Sequence, residues 1–334
     1  MEKFSSNKKA LILGVTGQAG SYLADLLLEK GYEVHGMVRR SASGNTKNID
    51  HLLQDKEIFG KRFFTHRGDL IDTISIYRII NEVRPQELYN EADQDHVGWS
   101  LDTPDYSFDV TGAAVGRVLE IIKQIDPKIK FFQPCSSNMF GKPVEVPQKE
   151  TTPFNPQSPY ACAKVFAYTL TRYYRQAYNI FAATAIYYNH ESPKRPEEYV
   201  TRKITKAAAR ISVGLQDKLF LGDVETKIDW GYAKEYVEAA WNILQLPNPD
   251  DFIIATGEAH SVREFVEEAF GLLDLNPEKY LVIDKNLLRP VKTGLLIGDT
   301  SKAKKAFGFE PKVKFKDLVK IMVEADVNSL KNKL

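Results

Sequence analysis

Three observations predict a doubly wound α/β fold, with helices on both faces of a parallel sheet and a smaller C-terminal lobe. Short apolar runs alternate with helix-period segments through the first half of the chain. A glycine-rich turn, Gly14-Val15-Thr16-Gly17-Gln18-Ala19-Gly20, sits between the first apolar run and the first helical pattern. Beyond Pro153 the alternation loosens into polar segments rich in Pro, Glu and Lys, which read as insertions on the same sheet.

In chain order, Lys9–Leu13 is the first expected strand, and behind the turn Tyr22, Leu23, Leu26 and Leu27 recur at helical spacing. Further strands are expected at Glu33–Val38, 63–66, Glu87–Asn90 and 130–133, with helices at Thr73–Val83 and 110–125 between them. A helix at 160–178 and a strand at Ala182–Tyr187 follow. The expected division is a nucleotide-binding domain over 1–185, with returns to its sheet around 229–260, and a second lobe over most of 186–334.

Composition excludes several classes of function. At 334 residues, 43% hydrophobic and 27% charged, the chain has enough apolar material for a large core and is neither disordered nor fibrous. Lys+Arg 45 against Asp+Glu 44 gives a net charge of +1, so no basic field is present to attract a nucleic-acid backbone or an anionic membrane. No apolar run reaches membrane-spanning length, and the polar start lacks the apolar core of a signal peptide. Cys135 and Cys162 match neither zinc spacing nor a disulfide framework, so both are expected as thiols in a reducing, cytoplasmic setting, and no metal site is expected.

The chemistry-bearing residues cluster in a few segments. In the turn, Gly14, Thr16, Gly17, Gln18 and Gly20 occupy the place where absent side chains let a backbone close on a pyrophosphate at a helix N-terminus, although a tight turn alone has the same pattern. Arg39 and Arg40 stand after the second strand, where an acid would bind the ribose of NAD, and arginine there accommodates the 2′-phosphate of NADP. Tyr160 and Lys164 are four apart at the start of a helix, so phenol and ammonium share one face. The cation is expected to lower the phenol's pKa for proton exchange with a substrate hydroxyl. Ser136, at a polar strand end, is placed to share that proton. His51, His66 and His260 have no partner at ligand spacing and are expected on the surface or satisfied in the core.

Together these residues resemble the extended short-chain dehydrogenase/reductase family, and within it the GDP-mannose 4,6-dehydratase branch. The likeness is carried by G-V-T-G-Q-A-G-S-Y-L-A (14–24), V-H-G-M-V-R-R-S (34–41), S-P-Y-A-C-A-K (158–164), N-H-E-S-P (189–193), V-T-R-K-I (200–204) and D-W-G-Y-A-K-E-Y-V-E-A (229–239). The resemblance implies that Asp69, Leu70, His190 and Arg195 join the turn, Arg39, Tyr160 and Lys164 in contacting NADP. It implies catalytic roles for Ser136, Tyr160 and Lys164, and contacts to a nucleotide-sugar, a GDP-sugar in that branch's pattern, for Asn189, Val200, Lys203 and Arg289. It also implies that the loop from Arg39 to Thr46 reaches a neighbouring subunit, making a homodimer or homotetramer.

Site positions depart from that pattern. The catalytic strand end of the family reads Ser-Thr-Ser-Glu, and here it is Cys135-Ser136-Ser137-Asn138, which replaces a carboxylate base by an amide. Asn-Leu-Ala-Ala-Gln-Ser becomes Asn90-Glu91-Ala92-Asp93-Gln94-Asp95, adding three acids. An arginine before Asp229-Trp230 is Ile228, and a glutamate after Arg289-Pro290 is Lys292. Three readings stay open: an enzyme acting at a sugar carbon by hydride transfer without elimination, a dehydratase whose base has moved to Asp93 or Asp95, and a non-catalytic binding or assembly partner.

Overall fold

The computed structural model describes residues 8–287 and 293–332. Its centre is a seven-stranded sheet built from β1 (Lys9–Leu13), β2 (Glu33–Val38), β3 (Phe63–Arg67), β4 (Glu87–Asn90), β5 (Lys130–Ser136), β6 (Ala182–Tyr187) and the strand Asp251–Ile254. From one edge the order is 251–254, β6, β5, β4, β1, β2, β3, and every neighbouring pair is parallel. Parallel strands covered on both faces are apolar on both faces. Along β1, Ala10 and Ile12 enter one core cluster while Leu11 and Leu13 enter the other. Because β1 lies between β2 and β4, the winding reverses there and a crevice opens at the carboxyl ends of β1 and β4.

One face is covered by helices Gln18–Glu29 and Ala233–Gln245, whose Leu23, Leu27, Val237 and Ile243 share a core. The opposite face carries Thr73–Val83, Ala114–Ile125 and Pro159–Tyr178. The helix expected at 110–125 begins instead with a π-helical stretch, Phe108–Ala113. Its wider turn includes Gly112, where a Cβ would stand 3.2 Å from the Phe166 ring, so the bare backbone settles against the neighbouring helix. Pro159–Tyr178 starts sharply because Ser158 Oγ accepts the Ala161 N–H at 3.1 Å and Pro159 occupies the first turn, and it stops at left-handed Asn179. That start puts Tyr160 in the first turn and Lys164 one turn later.

Residues beyond Asn189 build a third core from Ile204, Phe265, Phe270, Leu318 and Met322, with a buried Arg202–Asp326 ion pair beside it. Asn189–Glu191 pairs in parallel with Trp230–Tyr232, and Lys227–Ile228 pairs antiparallel with His260–Ser261. These short ladders hang the lobe from the carboxyl end of β6. No helix among the described residues is long and apolar enough to cross a membrane.

Candidate active site

At the carboxyl ends of the strands lies a cleft of about 1290 Å³. Its floor is the turn after β1. Gly14 has φ +81°, and a Cβ there would stand 2.6 Å from the Glu91 carbonyl oxygen, so only glycine lets the ends of β1 and β4 approach this closely. The Gly17 N–H closes the turn on Gly14 O at 2.9 Å. Helix Gln18–Glu29 then begins with no side-chain cap and no acid in its first turn, which leaves N–H donors and the positive end of the helix to an anion. Gly14, Thr16, Gly17 and Gln18 line the cleft. Gly20 stands behind it, where a Cβ would fall 2.3 Å from Gly14 O, and so serves the packing of helix on turn. The Gln18 side chain is also occupied, donating to His190 O at 2.9 Å and accepting from Ser192 Oγ at 2.7 Å.

Arg39, Asp69 and Leu70, after β2 and β3, line the same cleft further along. Arg39 is exposed and donates to the Tyr106 hydroxyl at 2.7 Å, while Arg40 is exposed outside the lining. Leu70 is buried, and its carbonyl accepts from Arg117 at 3.2 Å.

Ser136, Tyr160 and Lys164 meet where β5 ends beside the first turns of Pro159–Tyr178, all three largely buried. Lys164 Nζ lies 5.7 Å from the Tyr160 ring centre. It donates to Pro134 O at 2.8 Å and pairs with Asp93 Oδ2 at 2.5 Å. Burial alone would pull this ammonium down, but Asp93 and the Tyr160 oxygen hold it above its ordinary value. The Tyr160 phenol does not follow the expected downward shift. Burial pushes it up, and the pull of Lys164 is offset by Asp93 and Asp95. Ser136 Oγ accepts two hydrogen bonds from Asn138, one from its backbone N–H and one from its side-chain amide, both 3.2 Å.

Asn189, His190 and Arg195 line the cleft beyond β6. Burial, reinforced by Arg195, lowers His190 to about 4, and its ring stacks on Tyr236 with centres 5.0 Å apart. Arg195 lies 3.3 Å from Asp95 and 3.5 Å from Glu191, with its guanidinium 3.5 Å over the Tyr199 ring. Val200 and Lys203, in the first turn of helix Val200–Ser212, complete the far wall. Arg289 and Lys292 lie outside the described residues. Ile228 pairs with His260 and packs on the lobe's core.

Two features were not read from sequence as site elements. Asp229 lines the cleft while its carboxylate takes hydrogen bonds from Thr256 N at 2.8 Å, Thr256 Oγ1 at 2.7 Å and Gly257 N at 3.0 Å, tying the lobe to the end of 251–254. The Asp93–Lys164 pair joins two distant segments, and the added acids around Asn90 were its only sequence signal. Among the described residues no three His, Cys, Asp or Glu side chains are grouped to hold a metal ion.

The cleft can therefore hold an anionic dinucleotide along the turn and bring a hydroxyl-bearing ligand to Ser136 and Tyr160. A sequence model of the GDP-mannose 4,6 dehydratase family matches residues 11–322. GDP-mannose 4,6 dehydratase 1 of Arabidopsis thaliana is 48% identical over 329 residues, covering 97% of this chain and 91% of its own. The Homo sapiens GDP-mannose 4,6 dehydratase is 45% identical, covering 96% and 92%. Among solved structures, a UDP-glucose 4-epimerase of Thermotoga maritima superposes with TM-score 0.84 at 23% identity, over 96% of this chain and 99% of that one. A dTDP-glucose 4,6-dehydratase of Bacillus anthracis gives TM-score 0.83 at 21% identity, over 97% and 98%. With the match running almost end to end, this chain belongs to the GDP-mannose 4,6-dehydratase family.

Proposed function

We propose that this protein is an NADP-dependent enzyme acting at carbon 4 of a GDP-hexose by hydride transfer, and that it does not carry the reaction on to loss of water. The observation that carries the second half is the double donation from Asn138 to Ser136 Oγ. An amide at this position holds the hydroxyl but accepts no proton at neutral pH, and a missing positioned base costs on the order of 10²–10⁴-fold.

The residues fit the dinucleotide. Gly14 and Gly17 line the turn with bare backbone, the uncapped helix offers donors to a pyrophosphate, and exposed Arg39, after β2 on the same cleft, would meet a 2′-phosphate. Bound NADP supplies the acceptor for the hydrogen that leaves carbon 4. Tyr160 and Ser136 exchange the proton of the carbon-4 hydroxyl, and Lys164 holds the phenol oxygen electrostatically while offering a donor to a ribose hydroxyl. Asn189, Val200 and Lys203 would hold the nucleotide-sugar. Exposed residues of the 39–46 loop support assembly into a homodimer or homotetramer.

A second reading, dehydration with a relocated base, is favoured by Asp95, an exposed carboxylate in the cleft that lies 3.3 Å from Arg195. Asp93 is less suited, because Lys164 occupies it. Incubation with NADP and a panel of GDP-, CDP- and UDP-sugars, followed by product mass, separates the readings. Loss of two hydrogens is the expected outcome; rapid loss of water from GDP-mannose would overturn it in favour of Asp95. No change with any sugar, despite bound NADP, would leave the assembly-partner reading.

A further inference from the structure

We propose that the Glu91 carboxyl, carrying its proton, donates a hydrogen bond to an oxygen of the dinucleotide held in the cleft. This rests on the cofactor reading above and names a contact within it.

Glu91 follows β4 directly, at the point where the winding of the sheet reverses. Its carbonyl is pressed against Gly14, 2.6 Å from where a Cβ would stand, so its main chain is fixed against the turn that would face the pyrophosphate. The side chain lines the cleft, and Oε1 is buried with no hydrogen-bond partner among the described residues. A buried polar atom without a partner is costly, so it marks a place where a ligand completes the bonding.

The groups around Glu91 decide which form it takes. Lys164 faces it from the helix Pro159–Tyr178, Asp93 from its own loop, Tyr89 from β4 and Tyr187 from β6. The two phenols stay neutral, pushed up by burial. Lys164 is already paired with Asp93, and Asp93 itself disfavours a second negative charge. Burial therefore prevails over Lys164 and lifts the Glu91 carboxyl to about 8. At neutral pH it is an acid with an O–H to donate. Ionised, it would repel a phosphate and lose the donor. The acceptor class is a ribose, carboxamide or phosphate oxygen.

The test is the dissociation constant of NADP, by calorimetry or fluorescence, between about pH 7 and 10 for the wild type, Glu91→Gln, Glu91→Leu and Asp93→Asn. For wild type, affinity should hold to about pH 8 and then fall up to tenfold per unit, with uptake of a proton on binding above that point. Glu91→Gln keeps a donor and should bind with a flat profile near the wild-type value at pH 7. Glu91→Leu should be flat and several-fold weaker, and Asp93→Asn, which frees Lys164 to act on Glu91, should keep the slope with its onset moved to lower pH. Affinity independent of pH in the wild type, or a slope that survives in Glu91→Gln, would overturn the assignment of Glu91 while leaving the cofactor reading intact. No dinucleotide binding at any pH would overturn both.

Discussion

Asn138 spends both of its nitrogens on one oxygen, Ser136 Oγ, at 3.2 Å each. A hydroxyl has two lone pairs and one hydrogen. With both lone pairs engaged, the hydrogen is left pointing away from Asn138, toward Tyr160 and the cleft. A carboxylate at position 138 would take that hydrogen instead and reverse the polarity of the pair. Asn138→Leu should therefore lower turnover roughly tenfold, the worth of about one hydrogen bond, without changing NADP affinity. Steady-state kinetics beside calorimetry read the two quantities separately.

Tyr160→Phe keeps the buried ring and removes the proton carrier. Turnover should fall by on the order of 10²–10⁴-fold while NADP still binds. Near-native turnover would show that Tyr160 exchanges no proton in the reaction.

The Asp93–Lys164 pair makes opposite demands on stability and on chemistry. Lys164→Met leaves a buried carboxylate without its cation and should cost about 3–5 kcal/mol in denaturant unfolding, much of it recovered in Lys164→Met/Asp93→Asn. Asp93→Asn alone frees the ammonium to act on the phenol. The Tyr160 pKa should then fall, so oxidation, which needs the phenol deprotonated, should rise at lower pH than in the wild type. A rate profile that does not move would show that Asp93 does not govern Tyr160.

Arg39→Ala should erode a preference for NADP over NAD by roughly 1.5–3 kcal/mol, the scale of a charge-assisted contact. Calorimetry with both dinucleotides reads it, and an unchanged ratio would make Arg39 a surface or subunit contact.

His190 is held neutral, lowered from 6.5 to about 4. Below pH 6.5 the unfolded chain takes up a proton that the folded one refuses, so this group's contribution to stability is full above 6.5 and is lost as pH falls toward 4. The loss approaches roughly 3 kcal/mol. His190→Gln should lack that share of the acid slope, seen as the difference between the two unfolding curves from pH 7 to about 4.

β1 was legible as a short apolar run breaking into the glycine-rich turn, and β2 to β6 as short strand-like stretches each following a segment of helical period. Strand Asp251–Ile254 was legible only as a region, since four residues between turn formers carry little periodicity and their pairing with β6 decides them. The turn was legible as a motif, yet its division of labour was not: Gly14 and Gly17 line the cleft while Gly20 does not, and Gly14 and Gly20 are both required by close backbone approach. Tyr160 and Lys164 could be paired from spacing on one helix. Asp93 could not be joined to Lys164, because the loop after β4 meets that helix only in three dimensions, and the pairing changes the phenol's behaviour.

Gln18 has a longer reach than its place in a phosphate-type turn suggests. Its amide grips His190 O and Ser192 Oγ, residues on the strand and loop that lead into the lobe carrying Asn189, Val200 and Lys203. The chain's two ends of chemistry are thereby geared together: a displacement of the turn is passed directly to the wall opposite. Modular exchange is accordingly constrained, for a chimera that imports the N-terminal turn from a relative without a matching Gln18 and Ser192 pair would join a turn and a facing wall that are out of step.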